Sequence, residues 1–161
     1  MQNLLCLRID DRLLHGQVGV TWANTLVANL IIVANDQVAN DPVQQSLMEM
    51  VVSDEVGIRF FSIDKTIASL PKASPRQQIF IVCKSPADAL RLIEGGVKIE
   101  TINVGNIHNT EEGKRIHRSL ALTDFDIKAF NSINKLGVRL EVQGIPTEKP
   151  IDLMSLIMNL N

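Results

Sequence analysis

Ile79-Phe80-Ile81-Val82-Cys83-Lys84-Ser85-Pro86 is the stretch on which the fold turns. Its first five residues are apolar without a break. A strand with one wet face alternates polar with apolar residues, whereas a strand covered on both faces does not have to. The run is too short for a core helix, so it reads as a central strand of a parallel sheet. Ser85-Pro86 follows at once, a good N-cap and a residue suited to a first helical turn. A helix therefore starts there, and Gly95-Gly96 stops it.

Outward from this unit the same alternation recurs. Leu4–Ile9 reads as the first strand, residues 18–28 as a helix and Leu30–Ala34 as the second strand. Asp41-Pro42 opens a helix to about residue 52, with Val43, Leu47, Met50 and Val51 on one apolar face. Residues 57–62 read as a third strand, and residues 64–70 as a short helix ended by Pro71. Thr101–Val104 is a fifth strand and Leu120–Leu122 a short sixth. Thr123-Asp124 caps a helix to about residue 136, residues 138–142 form a last strand, and residues 151–160 a tail helix. This pattern predicts an α/β fold, an open and mostly parallel β-sheet with helices on both faces. No repeat, low-complexity tract or linker interrupts it, so residues 1–161 are expected to form a single domain. In such folds ligands sit beyond the carboxyl ends of the strands. The loops to read are residues 10–16, 35–41, 84–86 and 105–113.

Composition narrows the function. The chain of 161 residues has a net charge of -2, 4% aromatic residues and no Tyr. Neither a basic nucleic-acid surface nor a base-stacking platform fits that balance, so no nucleic-acid partner is expected. No secretory signal opens the chain, and no apolar run approaches the ~18–20 residues of a membrane span. A cytoplasmic location is expected. Cys6 and Cys83 lie in apolar strand-like runs without metal spacing and read as core thiols.

The loop after the first strand carries the chemistry: Arg8-Ile9-Asp10-Asp11-Arg12-Leu13-Leu14-His15-Gly16-Gln17. Guanidiniums give bidentate hydrogen bonds to phosphate oxygens, and free amides at the following helix start add donors. Gly16 lets backbone approach a bulky group beside His15. A neutral imidazole can attack phosphorus, and Asp10 or Asp11 can hold its other nitrogen or orient an arginine. These residues by themselves also fit a salt-bridged surface loop. Three rival uses stay open at this point. One is a nucleotide-binding α/β enzyme, although neither G-x-G-x-x-G nor G-x-x-x-x-G-K-[ST] is present. Another is a non-catalytic module binding a phosphorylated partner through Arg8 and Arg12. The last is a metal site on His15, Asp10 and Asp11, which lacks further clustered ligands.

This segment resembles the active-site signature of the enzyme IIB components of the mannose/fructose/sorbose family of bacterial sugar phosphotransferase systems. Residues 33–41, Val-Ala-Asn-Asp-Gln-Val-Ala-Asn-Asp, resemble the family's second loop, and residues 102–108, Ile-Asn-Val-Gly-Asn-Ile-His, its glycine-containing loop. The likeness spans essentially the whole chain. Residues 43–50, 104–108 and 142–148 are most similar to the N-acetylgalactosamine and galactosamine branch. The resemblance implies a phosphohistidine carrier: a IIA protein gives the phosphoryl group to His15, which passes it to a sugar entering through membrane components IIC and IID. It implies Arg8 and Arg12 as phosphate stabilisers, Asp10 as orienter, Gln17 as a further motif position and Nδ1 as the phosphorylated nitrogen, while Asp11 and Gly16 stand as phosphate-loop candidates on the reading of the loop itself. It also implies an antiparallel edge strand, no cofactor, and a cytoplasmic subunit held at the membrane by IIC and IID. Asn106 departs from the pattern, standing where many members have a second glycine.

Secondary candidates remain beside these. Asn35 and Asp36 end the second strand, and Asp41 reads equally as a helix cap. Ser85 can donate to a phosphate or cap its helix. Gly105, Asn106 and His108 lie in the fifth-strand loop. Residues 114–118 read as a solvated basic face with some capacity to dock an acidic partner. Trp22 reads as core or partner-facing. An edge strand or the tail helix can mediate a homodimer.

Overall fold

The computed structural model describes residues 3–108 and 111–160, with backbone alone at Gln17 and Val18. Its elements run β1 (Leu4–Ile9), α1 (Gly16–Leu26), β2 (Leu30–Ala34), α2 (Pro42–Glu49), β3 (Gly57–Phe61), α3 (Ile63–Ser69), β4 (Ile79–Cys83), α4 (Pro86–Glu94) and β5 (Thr101–Val104). There follow β6 (Ile107–His108), β7 (Lys114–His117), β8 (Leu120–Leu122), α5 (Asp124–Lys135), β9 (Arg139–Val142), β10 (Ile151–Asp152) and α6 (Leu153–Met158). Seven strands make one sheet in the order β10-β9-β5-β1-β4-β2-β3. All its pairs are parallel except β10 on β9, the antiparallel edge.

The pleat assigns the two faces. Leu7, Ile9, Ile79, Ile81 and Cys83 pack with Ala89, Leu92, Phe130 and Ile133 of α4 and α5. The alternate residues Cys6, Phe80 and Val82 pack with Trp22 and Ala23 of α1 and Met48 of α2. Burial on both sides is why residues 79–83 carry no polar position; each such buried side chain contributes about 1.5–3 kcal/mol. α1 lies on one face, while α4, which follows the neighbouring β4, lies on the other. The chain thus leaves adjacent strand ends in opposite directions and opens a crevice at the carboxyl end of β1.

Several expectations are corrected. The helix of residues 41–52 ends at Glu49, and its Val43, Leu47 and Met50 face solvent at 69%, 55% and 81% exposure, while Met48 is the buried contact. The tail segment starts as the edge strand β10, and Asp152 then caps α6. Residues 114–117 form β7, which joins β6 and β8 in a second, three-stranded sheet in the order β6-β8-β7. Ile107, Leu120 and Leu122 fasten that sheet to the α4/α5 face. Among the described residues no helix is long and apolar enough to cross a membrane.

Candidate functional site

Arg8 shares the pleat direction of Cys6, so it points to the α1 face, where it is only 2% exposed. Its guanidinium donates to the Asn103 side chain, to the Gln143 carbonyl at 2.8 Å and to the Gly144 carbonyl at 3.0 Å. It lies 3.5 Å from Asp10 Oδ2 and 5.0 Å from the centre of the Trp22 ring. Trp22 Nε1 donates to the same Gly144 carbonyl at 2.9 Å. Burial pulls the Arg8 guanidinium down from its ordinary value, and the Asp10 carboxylate opposes this. Gly105 is required here: a Cβ at that position would run into the Arg8 guanidinium.

Asp10 is the hub. It is 1% exposed. Its Oδ1 accepts from the Arg12 backbone N–H at 3.1 Å, an Asx-type turn. Its Oδ2 accepts from Asn106 Nδ2 at 3.0 Å and from His15 Nε2 at 3.3 Å. A carboxylate only accepts, so in the neutral imidazole this contact favours the proton on Nε2 and leaves the lone pair on Nδ1.

The loop closes as a turn, with the Leu13 N–H donating to the Asp10 carbonyl at 2.9 Å. Leu13 adopts φ +58°, a left-handed conformation that costs a residue with a Cβ about 1–2 kcal/mol. Burial of Leu13 and Leu14 in the α1-side core holds it there. Those two side chains plug inward, and Arg12 and His15 are left outward. His15 is the N-cap residue of α1, in extended conformation with its side chain making no cap, and that side chain is 24% exposed. Gly16 follows at φ +48° and begins the helix, whose first-turn amides are an anion-binding feature. Arg12 is exposed, and its guanidinium makes no hydrogen bond or ion pair among the described residues. The Gln17 side chain lies outside the described residues.

The fifth-strand loop comes to this site. The Asp11 N–H donates to the Asn106 carbonyl at 2.9 Å, and Asp11 Oδ2 accepts from the His108 backbone N–H at 2.7 Å. His108 Nδ1 lies 3.3 Å from Asp11 Oδ2. Asp11 is thus turned to β6. Residues 109–110 of this loop lie outside the described residues.

Other candidates are engaged elsewhere. Asn35 is buried and its Oδ1 accepts from the Val38 N–H at 2.9 Å. Asp36 accepts from the Ile63 N–H and pairs with Arg91 at 2.8 Å, which holds its carboxyl below the usual range. Ser85 Oγ caps α4 by accepting from the Asp88 N–H at 3.1 Å, and Asp41 caps α2. Sequence reasoning missed Asn103 and the Gln143–Gly144 carbonyls as members of the cluster. An Asn inside the apolar strand Thr101–Val104 was the available signal, and it pairs in register with Arg8.

A depression of about 1010 Å³ lies at the opposite end of β1 between Leu4, Leu5, Val97 and Val138, away from this chemistry. Among the described residues no group of three or more His, Cys, Asp or Glu is placed to hold a metal ion. The His15 end presents a partly exposed imidazole and the exposed Arg12 above the buried Arg8–Asp10 pair.

Known proteins share this arrangement of sequence and fold. A sequence profile of the sorbose-subfamily IIB component of the phosphotransferase system matches residues 4–161. The N-acetylgalactosamine-specific phosphotransferase enzyme IIB component 2 of Escherichia coli is 48% identical over 157 residues, 98% of this chain and 100% of that protein. A crystal structure of an N-acetyl-galactosamine IIB component from Streptococcus pyogenes superposes with a TM-score of 0.90 at 41% identity, covering 95% of this chain and 96% of that one. The mannose-specific EIIAB component of Escherichia coli is 33% identical over 156 residues, 96% of this chain and 48% of that protein.

Proposed function

Because the chain belongs to the sorbose-subfamily IIB components of the sugar phosphotransferase system, we propose that His15 is its phosphoryl carrier, with Nδ1 as the attacking atom. A phosphorylated histidine of a IIA protein approaches the partly exposed His15 ring. Its N–P bond breaks as the His15 Nδ1–P bond forms. In the second step the Nδ1–P bond breaks and an O–P bond forms to a sugar hydroxyl, whose proton leaves to solvent or to a base of the sugar-holding partner. Transfer of this kind needs alignment and charge stabilisation more than covalent help from the protein.

The observation that carries the reading is the Nε2···Oδ2 contact of 3.3 Å between His15 and buried Asp10. It leaves Nδ1 of the neutral ring free to attack, three residues from an exposed Arg12 whose guanidinium has no partner among the described residues. A phosphoryl group adds about -1.5 to -2 charge, which Arg12 and the α1 amides can meet. Arg8 acts one layer below. With its donors on Asn103, Gln143, Gly144 and Asp10, it holds the Asp10 carboxylate in place rather than touching the phosphoryl group.

The partners are a IIA phosphodonor and membrane components IIC and IID that hold the sugar. Fusion of IIA and IIB in the mannose-specific EIIAB relative supports the first. N-acetylgalactosamine, or galactosamine, is the proposed sugar, on the names of the relatives. The subunit works in the cytoplasm at the inner membrane face. The test is incubation with phosphoenolpyruvate, the general phosphotransferase proteins and a cognate IIA, followed by mapping of acid-labile, base-stable phosphate by mass spectrometry. Label on His15 and none in a folded His15→Ala variant is the expected result. Label retained at another residue overturns the assignment.

A further inference from the structure

We propose that Asn106 is a positioning residue that sets the orientation and tautomer of His15 through the Asp10 carboxylate. Three donors meet Asp10 Oδ2: Asn106 Nδ2 at 3.0 Å, His15 Nε2 at 3.3 Å and Arg8 Nη2 at 3.5 Å. The carboxylate is 1% exposed, so water does not compete for it. Arg8 is immobilised by Asn103 and by the carbonyls of Gln143 and Gly144. The Arg12 contact to Oδ1 comes from backbone. Among the described residues, Asn106 is therefore the one adjustable side chain, besides His15 itself, that grips the oxygen facing the imidazole. Its own backbone is anchored, since its carbonyl accepts from the Asp11 N–H at 2.9 Å. The amide then has a defined place from which to hold the carboxylate plane.

The chemical consequence follows from carboxylate geometry. Oδ2 favours the Nε2–H tautomer only while its lone pairs point at that nitrogen. Without the Asn106 donor, the carboxylate can rotate toward Arg8 and release the ring. The imidazole then samples the Nδ1–H tautomer, in which the nitrogen facing solvent has no lone pair to attack phosphorus. The consequence for transfer rests on the carrier reading of His15, whereas the consequence for the tautomer does not.

Two readouts separate these. The first is the His15 tautomer ratio in the unphosphorylated protein, from nitrogen-15 chemical shifts of the imidazole at alkaline pH. The second is the rate of phosphoryl acceptance from a phosphorylated IIA protein. Asn106→Ala is expected to cut the ratio of Nε2–H to Nδ1–H at least threefold and to slow acceptance about tenfold (a rise of ~1.4 kcal/mol in the barrier). Melting should fall by no more than a few degrees, because Oδ2 keeps His15 and Arg8, and Asn106→Gln, which keeps the amide donor on a longer stem, should restore part of both readouts. An unchanged tautomer ratio in Asn106→Ala overturns the inference. If the unmodified protein itself accepts no phosphoryl group, the carrier reading falls, and the tautomer ratio still decides the role of Asn106.

Discussion

Replacing Arg8 by Met separates a buried positioning role from a phosphate-binding one. The substitution keeps the stem roughly in shape and removes the cation. It leaves the Asp10 carboxylate, 1% exposed, without its ion partner, takes the Arg8 donor from the Gln143 carbonyl and the Asn103 side-chain oxygen, and leaves the Gly144 carbonyl with Trp22 alone. Breaking a buried pair from one side costs about 3–5 kcal/mol. Each orphaned carbonyl is worth ~1–3 kcal/mol by itself, and these losses overlap. A net loss of about 4 kcal/mol is expected, which lowers the melting temperature by roughly 8–16 °C for a chain of this size. Urea and thermal unfolding followed by circular dichroism, and by the fluorescence of the single tryptophan, Trp22, measure it directly. Arg8→Lys should fall between, because an ammonium keeps the charge and loses the planar fork. In a double-mutant cycle with Asp10→Asn the combined loss should be clearly smaller than the sum of the two. A loss below about 1 kcal/mol in Arg8→Met, with phosphoryl transfer abolished, would refute the reasoning and put Arg8 on the phosphoryl group.

Arg12 should behave in the opposite way. Arg12→Ala is expected to change stability by no more than about 0.5 kcal/mol and to slow phosphoryl transfer ~100-fold or more, checked by melting and rapid-quench labelling. Val27 caps α1 at φ 56° while 77% exposed. Val27→Gly should therefore stabilise the fold by up to ~1 kcal/mol, read as a rise in the urea midpoint. Burial pushes the Cys6 thiol up to about 12 from its ordinary 9.0, and the Cys83 thiol higher still. Neither should react with thiol reagents at pH 8 without denaturant, and labelling of the native protein would contradict their burial. The linked effect on stability has a definite sign. Above pH 9 the unfolded chain releases thiol protons that the folded chain keeps, so stability is intact below that pH and falls as pH rises toward 12, by up to ~1.4 kcal/mol per unit for each thiol.

Sequence alone determined the central strands, the main caps and the turn of residues 10–15. Leu4–Ile9, Leu30–Ala34, Ile79–Cys83 and Thr101–Val104 are strands at the residues read; cover on both faces leaves Leu30–Ala34 and Ile79–Cys83 wholly apolar, and Arg8 and Asn103 interrupt the other two where they pair with each other. Ser85, Asp41 and Thr123 cap their helices through hydrogen bonds that span three residues, so adjacent sequence suffices to see them. His15, Arg12 and Asp10 are gathered by one short turn. Tertiary structure decided what depends on distant neighbours. The stripe Val43, Leu47 and Met50 is visible as a periodicity, but periodicity does not say which face meets the core, and this one meets solvent. β6 and β10 have two residues each and exist only through their pairing partners. Arg8 and Arg12 look alike in the loop. Only the pleat of β1, and carbonyls 135 and 136 residues further along the chain, bury the one and leave the other free. Local signals report local energies. Which arginine is buried and which is exposed was decided by contacts between segments far apart in the chain.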